Sequence, residues 1–313
     1  MSTPALRVQG LGKRFGRRVA LDEFNLVVPR GSVFGLVGSN GAGKTTLMAC
    51  CAGLLRPDHG VIDIMGAGPP DPGRRKGVLT LLPQDARLPL HARVGEILSY
   101  YGRLQGVSRQ AIESDVDRLL GWVNLLDRKH AAVRTLSHGM MRRLTVAQAF
   151  LGEPDVVFLD EPMSGLDPRE VSRIREMLVK RKAEQTVVIS SHILGELETL
   201  CDHVAFVEKG RLVKQGSISS IMKRHHRLEY HVRPAPLPED RLREIMVTGT
   251  WHIDAALGRI SLILNSDEHD PVEINGRVLR LLLDAGIGVE EVRRGSDLER
   301  EFLIATERPE RPA

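Results

Sequence analysis

The run Gly38-Ser39-Asn40-Gly41-Ala42-Gly43-Lys44-Thr45-Thr46 follows a short apolar segment, Val33–Val37, and opens a stretch of helical character. The segment VFGLV lies between Gly31 and Gly38 and reads as a strand buried on both faces. From Lys44 the helical pattern is expected to run through Leu55 and to stop at Arg56-Pro57-Asp58, because proline cannot continue a helix. Strand, glycine-rich turn, helix is an order that few folds accommodate. Glycines let successive backbone N–H groups converge on an anion at a helix N-terminus, where the dipole already favours negative charge. The run satisfies G-x-x-x-x-G-K-[ST] in the context that pattern requires. Its residues are therefore expected to cradle phosphates, with Lys44 reaching the β and γ phosphates of a nucleotide and the Thr45 hydroxyl binding Mg²⁺.

Two further apolar runs, Val156–Leu159 and Thr186–Ser190, each with a helical stretch on at least one side, predict an α/β fold with a mostly parallel sheet. The first of them ends in Asp160-Glu161. A carboxylate at the tip of a buried parallel strand, beside a phosphate loop, is the expected holder of magnesium, which leaves Glu161 to orient or deprotonate an attacking water. Between these strands, Val94 to Leu126 carries apolar residues at helical spacing (Ile97, Leu98, Tyr101, Leu104) and reads as a helical insert.

The pattern changes after Gly216, where the basic cluster Lys223 to Arg227 leads into Pro234, Pro236 and Pro238. We expect one domain over 1–222, with a helical subdomain at about 88–136, and a small α+β domain over 223–313. The latter reads as a strand at Leu228–Val232, a helix at Glu239–Met246, a hairpin over Trp251–Leu264 turning near Gly258, a helix with Val278, Leu281, Leu282 and Ala285 on one face, and a strand at Val289–Val292. That βαββαβ order is the ferredoxin-like plan. A last helix is expected from Ser296, with a capping box to Glu299 and with Leu298 and Phe302 inward, before a disordered tail, ERPERPA.

No stretch approaches the roughly 18 to 20 apolar residues that span a bilayer, and the start shows no secretory pattern, so a cytoplasmic chain is expected. The three cysteines match neither a disulfide framework nor a CxxC metal site. A formal charge of +4 spread over many arginines gives no sign of a nucleic-acid surface, and no nucleic acid is expected as a partner.

Leu136-Ser137-His138-Gly139-Met140 stands before Asp160, and Ser164-Gly165-Leu166-Asp167 after it. These runs resemble the signature motif and D-loop of ATP-binding cassette (ABC) proteins, and the resemblance extends from about Val8 to Gly216 with every element in order. Gln84, after LTLLP, matches the Q-loop glutamine, assigned to catalysis and to the metal, and His192, after TVVISS, matches the catalytic switch histidine. Phe15 matches the aromatic that stacks on adenine.

The resemblance implies a P-loop ABC ATPase that uses ATP and Mg²⁺ and works as a pair, each ATP lying between one subunit's phosphate loop and the other's signature motif. Ser137, Gly139 and Asp167 would then contact nucleotide across that interface, with His138 standing where the commonest signature has glycine. A second ATPase subunit, identical or related, is implied, and so is a separate membrane permease that holds the chain at the cytoplasmic face and docks on the helical insert. LSHGMMRRL and the ending Gly295 to Leu303 are similar to the detached ATPases of ABC-2-type exporters. An importer ATPase and a non-transport cassette acting on a nucleic-acid complex are the alternatives. A kinase would share the phosphate loop but has no use for LSHGM or SGLD.

Overall fold

The computed structural model describes residues 3–71, 77–181, 185–222, 226–264 and 270–295, together with 298, 302 and 306. The chain forms two compact units, Met1–Gly216 and Ser217–Ala313.

The first unit begins with β1 (Leu6–Phe15) and β2 (Arg18–Val28), an antiparallel pair that the sequence reading did not anticipate. Its register shifts after Val8, Leu11 and Lys13, and each shift breaks the two-residue alternation by which a half-buried strand is recognised. Next come β3 (Val33–Val37), α1 (Lys44–Cys51) and β4 (His59–Ile64), which pairs with β1 to give the three-stranded order β2-β1-β4. Helix α1 stops at Cys51, short of the expected Leu55, because Gly53 takes a left-handed φ of 73°. Cys50 and Cys51 are free thiols buried in the core behind the loop.

The remaining elements of this unit are β5 (Leu79–Leu82), α2 (Val94–Gln105), α3 (Ile112–Trp122), α4 (His138–Gln148), β6 (Val156–Asp160), α5 (Pro168–Lys180), β7 (Thr186–Ser191), α6 (Leu194–Glu198), β8 (His203–Glu208) and β9 (Arg211–Ser217). With β3 they build a six-stranded sheet in the order β5-β6-β7-β3-β8-β9, parallel from β5 through β8. Every residue of β3, β6 and β7 is buried, as continuous apolar runs in a doubly covered parallel sheet must be. Leu36 of β3 and Asp160 of β6 both stand opposite Ser190 of β7, so the carboxyl ends of the three strands are level. In α2 the inward face is Val94, Ile97, Leu98 and Gly102, and Leu104 points to solvent, contrary to expectation. Gly102 takes that place because Ile112 of α3 packs where a Cβ would sit, 2.3 Å from its Cδ1.

The second unit contains α7 (Ile218–Met222), β10 (His226–Val232), α8 (Glu239–Ile245), β11 (Thr250–Asp254), β12 (Arg259–Leu264), α9 (Pro271–Asp284) and β13 (Val289–Gly295). Its antiparallel sheet runs β11-β12-β10-β13, the strand order of a ferredoxin-like fold, over a core that includes Leu228, Tyr230, Leu262, Val278 and Leu282. Ala285, expected on the inward face of α9, is exposed, and Ile274 is the buried residue one turn before Val278. Helix α7 groups with the second unit, which starts at Ser217 rather than at the expected residue 223. Leu298 is buried and Phe302 half-buried, while the expected capping residues Ser296 and Glu299, and the tail, lie outside the described residues. Among the described residues no helix is long and apolar enough to cross a membrane.

Candidate active site

The loop between β3 and α1 is shaped by its neighbours before any ligand is considered. A Cβ on Gly38 would lie 2.3 Å from the Val207 carbonyl, and one on Gly43, at φ 112°, would lie 2.6 Å from the Ala20 carbonyl. Glycine is thus required at both places by backbone packed against the loop. Gly43 caps α1, so the helix N-terminus opens on the loop. Lys44 is buried, and its ammonium turns back to donate to the carbonyls of Gly38 (2.7 Å) and Ser39 (3.3 Å). Burial pushes the Lys44 pKa below the ordinary lysine value, with Glu161 and Asp160 pulling it back up.

Across from it, the Thr45 hydroxyl donates to Asp160 Oδ2 at 2.6 Å. The Ser190 hydroxyl donates to Asp160 Oδ1 and accepts the N–H of Glu161 at 2.8 Å. Glu161 sits at φ 49°, a left-handed conformation that costs a non-glycine residue about 1–3 kcal/mol. Its side chain is buried: Oε2 meets His192 Nδ1 at 2.8 Å, and Oε1 lies 3.7 Å from Lys44 Nζ. Oε1 has no hydrogen-bond partner, which leaves an acceptor for an O–H entering the cleft.

Phe15, residues 40–46, Gln84, Asp160 and Glu161 line one cleft of about 340 Å³, together with Arg18 and Ala20. Phe15 is 48% exposed beside the cleft, with the Lys13 ammonium 5.6 Å from its ring centroid. A larger hollow of about 630 Å³ runs past Gln105–Ser108 and Gly152, but it shares no residue with this cleft and gathers no comparable chemistry. Ser137, Gly139 and Asp167 do not line the cleft. Ser137 caps α4 by accepting the Met140 N–H, and Asp167 caps α5 by accepting from Arg169 and Glu170. Gly139 lies against Glu170, whose Cγ would be 2.6 Å from an added Cβ.

A nucleotide-sized cleft with a buried cation, a hydroxyl–carboxylate pair and a strained carboxylate is what phosphoryl transfer to water requires. The family model described as ABC transporter matches residues 21–164, which contain most of these groups. Nod factor export ATP-binding protein I of Ralstonia nicotianae is 38% identical over 220 residues, 69% of this chain and 68% of that one. Daunorubicin resistance ATP-binding protein DrrA3 of Streptomyces coeruleorubidus is 33% identical over 98% of this chain and 97% of its own length. The chain belongs to the ABC transporter family. It is one of that family's ATPases. A solved ATP-binding subunit of an ABC transporter overlays on 70% of this chain and 92% of its own, with a TM-score of 0.62 at 29% identity.

Two residues of this ABC cassette were missed by sequence reasoning. Ser190 is one, joining the acid of β6 to the backbone of Glu161. Arg142 is the other: buried on α4, it donates to the carbonyls of Pro162 (2.8 Å), Gln84 (3.2 Å) and Glu161 (2.6 Å). Burial lowers its pKa, and the carboxylates of Asp160 and Glu161 oppose that shift. The only sequence signal was the doubled arginine in LSHGMMRRL, which does not say that one guanidinium turns toward the cleft and that the other, Arg143, pairs with Glu170 at 3.0 Å.

Proposed function

We propose that this chain is the ATP-hydrolysing subunit of an ABC-2-type exporter, held at the cytoplasmic face by a separate membrane permease. The observation that carries the reading is the meeting of three buried charged side chains, Lys44, Asp160 and Glu161, with the more exposed Thr45 and His192 at the level ends of β3, β6 and β7. Relatives named for Nod factor export and daunorubicin resistance supply the direction of transport. In this reading Met1–Gly216 form the nucleotide-binding domain, with the helices of about 88–136 receiving the permease, and Ser217–Ala313 form an accessory domain.

Gly38, Ser39 and the N–H groups through Thr46 cradle the phosphates, Lys44 compensates their charge, and Phe15 stacks on adenine. The all-oxygen donors Thr45, Asp160 and Gln84 suit a hard cation and would hold Mg²⁺, and the Thr45–Asp160 contact at 2.6 Å already brings two of them together. Magnesium there would neutralise charge on the β and γ phosphates. Glu161 acts as general base through its unpartnered Oε1, and His192 orients it. Arg142 is a positioning residue that ties α4 and Gln84 to the strained Glu161 backbone. Ser137, Gly139 and Asp167, away from this cleft, face the ATP of a second subunit.

Purification of the tagged chain from detergent-solubilised membranes tests the proposal. A co-purifying polytopic membrane protein, with ATPase activity that rises in its presence, is expected. Bound nucleic acid, or activity indifferent to any membrane partner, would overturn it.

A further inference from the structure

Helix α9 of the second unit has two apolar faces. Ile274, Val278 and Leu282 point into the core of the sheet. Val272, Gly276, Leu279 and Leu283 form a second line whose steps of four, three and four residues are the spacing of a coiled-coil seam. Val272 is 61% exposed and Leu283 is 62% exposed, Leu279 is half-buried with one side against the unit's own core, and a Cβ on Gly276 would meet nothing within 4 Å. A helix that served its own core alone would place polar residues at the exposed positions 272 and 283.

The charges beside the seam say what covers it. Glu273 and Arg280 are exposed on its same flank, two turns apart, and neither makes an ion pair among the described residues. Against a second copy of α9 running antiparallel, Val272 would stack on the partner's Leu283, and Gly276 would receive the partner's Leu279. The same register sets Glu273 beside the partner's Arg280, and the two-fold axis makes that pair twice. A parallel pair would set Gly276 against its own copy, leaving a gap, and would waste both charges.

We propose that α9 is a self-association seam, at which the second unit of one copy of this chain packs antiparallel against the second unit of another. The proposal extends the reading of the cassettes as a pair, yet it stands on α9 alone and needs no nucleotide. A helix of 14 residues is about 21 Å long, so the contact is smaller than the roughly 1,000 Å² of a self-sufficient interface. The contact is weak by itself and gains force when the cassettes also meet.

Sedimentation equilibrium of the nucleotide-free full chain tests this apart from any ATP-driven pairing. Wild-type protein should dimerise reversibly, and Leu283→Asp, at an exposed site, should weaken the dimer by roughly tenfold or more without lowering the melting temperature. Glu273→Arg and Arg280→Glu should each weaken it through like-charge contacts, whereas an equimolar mixture of the two should recover it, because each then offers the other an opposite charge. A wild-type chain monomeric at about 200 µM, where a seam of this kind should show association, would overturn the proposal. So would variants that associate like wild type, or a mixture no stronger than either variant alone.

Discussion

The two units of this chain treat polarity in opposite ways. Twelve of the thirteen buried polar or charged residues described lie in the first unit, and the exception, Ser261, is a neutral hydroxyl of the ferredoxin-like sheet. All six described non-glycine residues with left-handed backbone are in the first unit as well, Glu161 among them. Buried charge and strained backbone both reduce stability, so their segregation marks the unit in which geometry is kept for chemistry. The second unit gathers apolar side chains, and its buried indole and phenol find partners, Trp251 on the Met246 carbonyl and Tyr230 on Asn275. It is built for folding and for contact.

The largest test of that contrast is Glu161→Gln. Shape and hydrogen-bonding atoms persist but the base is lost, so turnover should fall by about 10² to 10⁴ while ATP affinity stays within a few-fold. Single-turnover hydrolysis and equilibrium binding on one preparation separate the two, and a variant retaining more than about a tenth of the rate would remove Glu161 from the base role.

Arg142→Lys should act less strongly and through Glu161. A single ammonium cannot reach the three carbonyls that the guanidinium spans, so kcat should drop about tenfold and the melting temperature should fall as buried carbonyls lose their donor, with ATP affinity nearly unchanged in the folded protein. Adding the change to Glu161→Gln should then cost nothing further in rate. An additive loss would mean that Arg142 supports the fold rather than the base.

Leu262→Ala, in the core of the second unit, should move the chemistry least. It should cost about 2–5 kcal/mol of that unit's stability, seen as an earlier thermal transition, and change ATPase activity by less than about twofold at a temperature below it. Loss of ATPase activity before any unfolding would break the division between the units.

Three strands of the sheet, β3, β6 and β7, and the phosphate loop were legible because these strands are continuous apolar runs, with functional residues at the ends of two of them, Gly38 after Val37 and Asp160 after Leu159. The other three, β5, β8 and β9, were not anticipated. The second unit was legible for a different reason, since its elements are short, regular and punctuated by Pro238, Gly258 and Gly286. The hairpin of β1 and β2 was not, because three register shifts destroy its alternation.

The sequence by itself determined which chemical groups this protein has to work with, since motif order fixes the loop, the acid pair, the glutamine and the histidine along one strand-and-helix alternation. Only the tertiary structure decided how those groups are held. Ser190 joins the site because β7 lies between β3 and β6, a strand order that no local pattern encodes. Arg142 joins it because α4 turns that side of its surface to the carbonyls of Gln84, Glu161 and Pro162, while its neighbour Arg143 turns to Glu170. The physical reason is the same in both cases: a residue's period states which face it occupies, and the packing of elements distant in sequence states what that face meets.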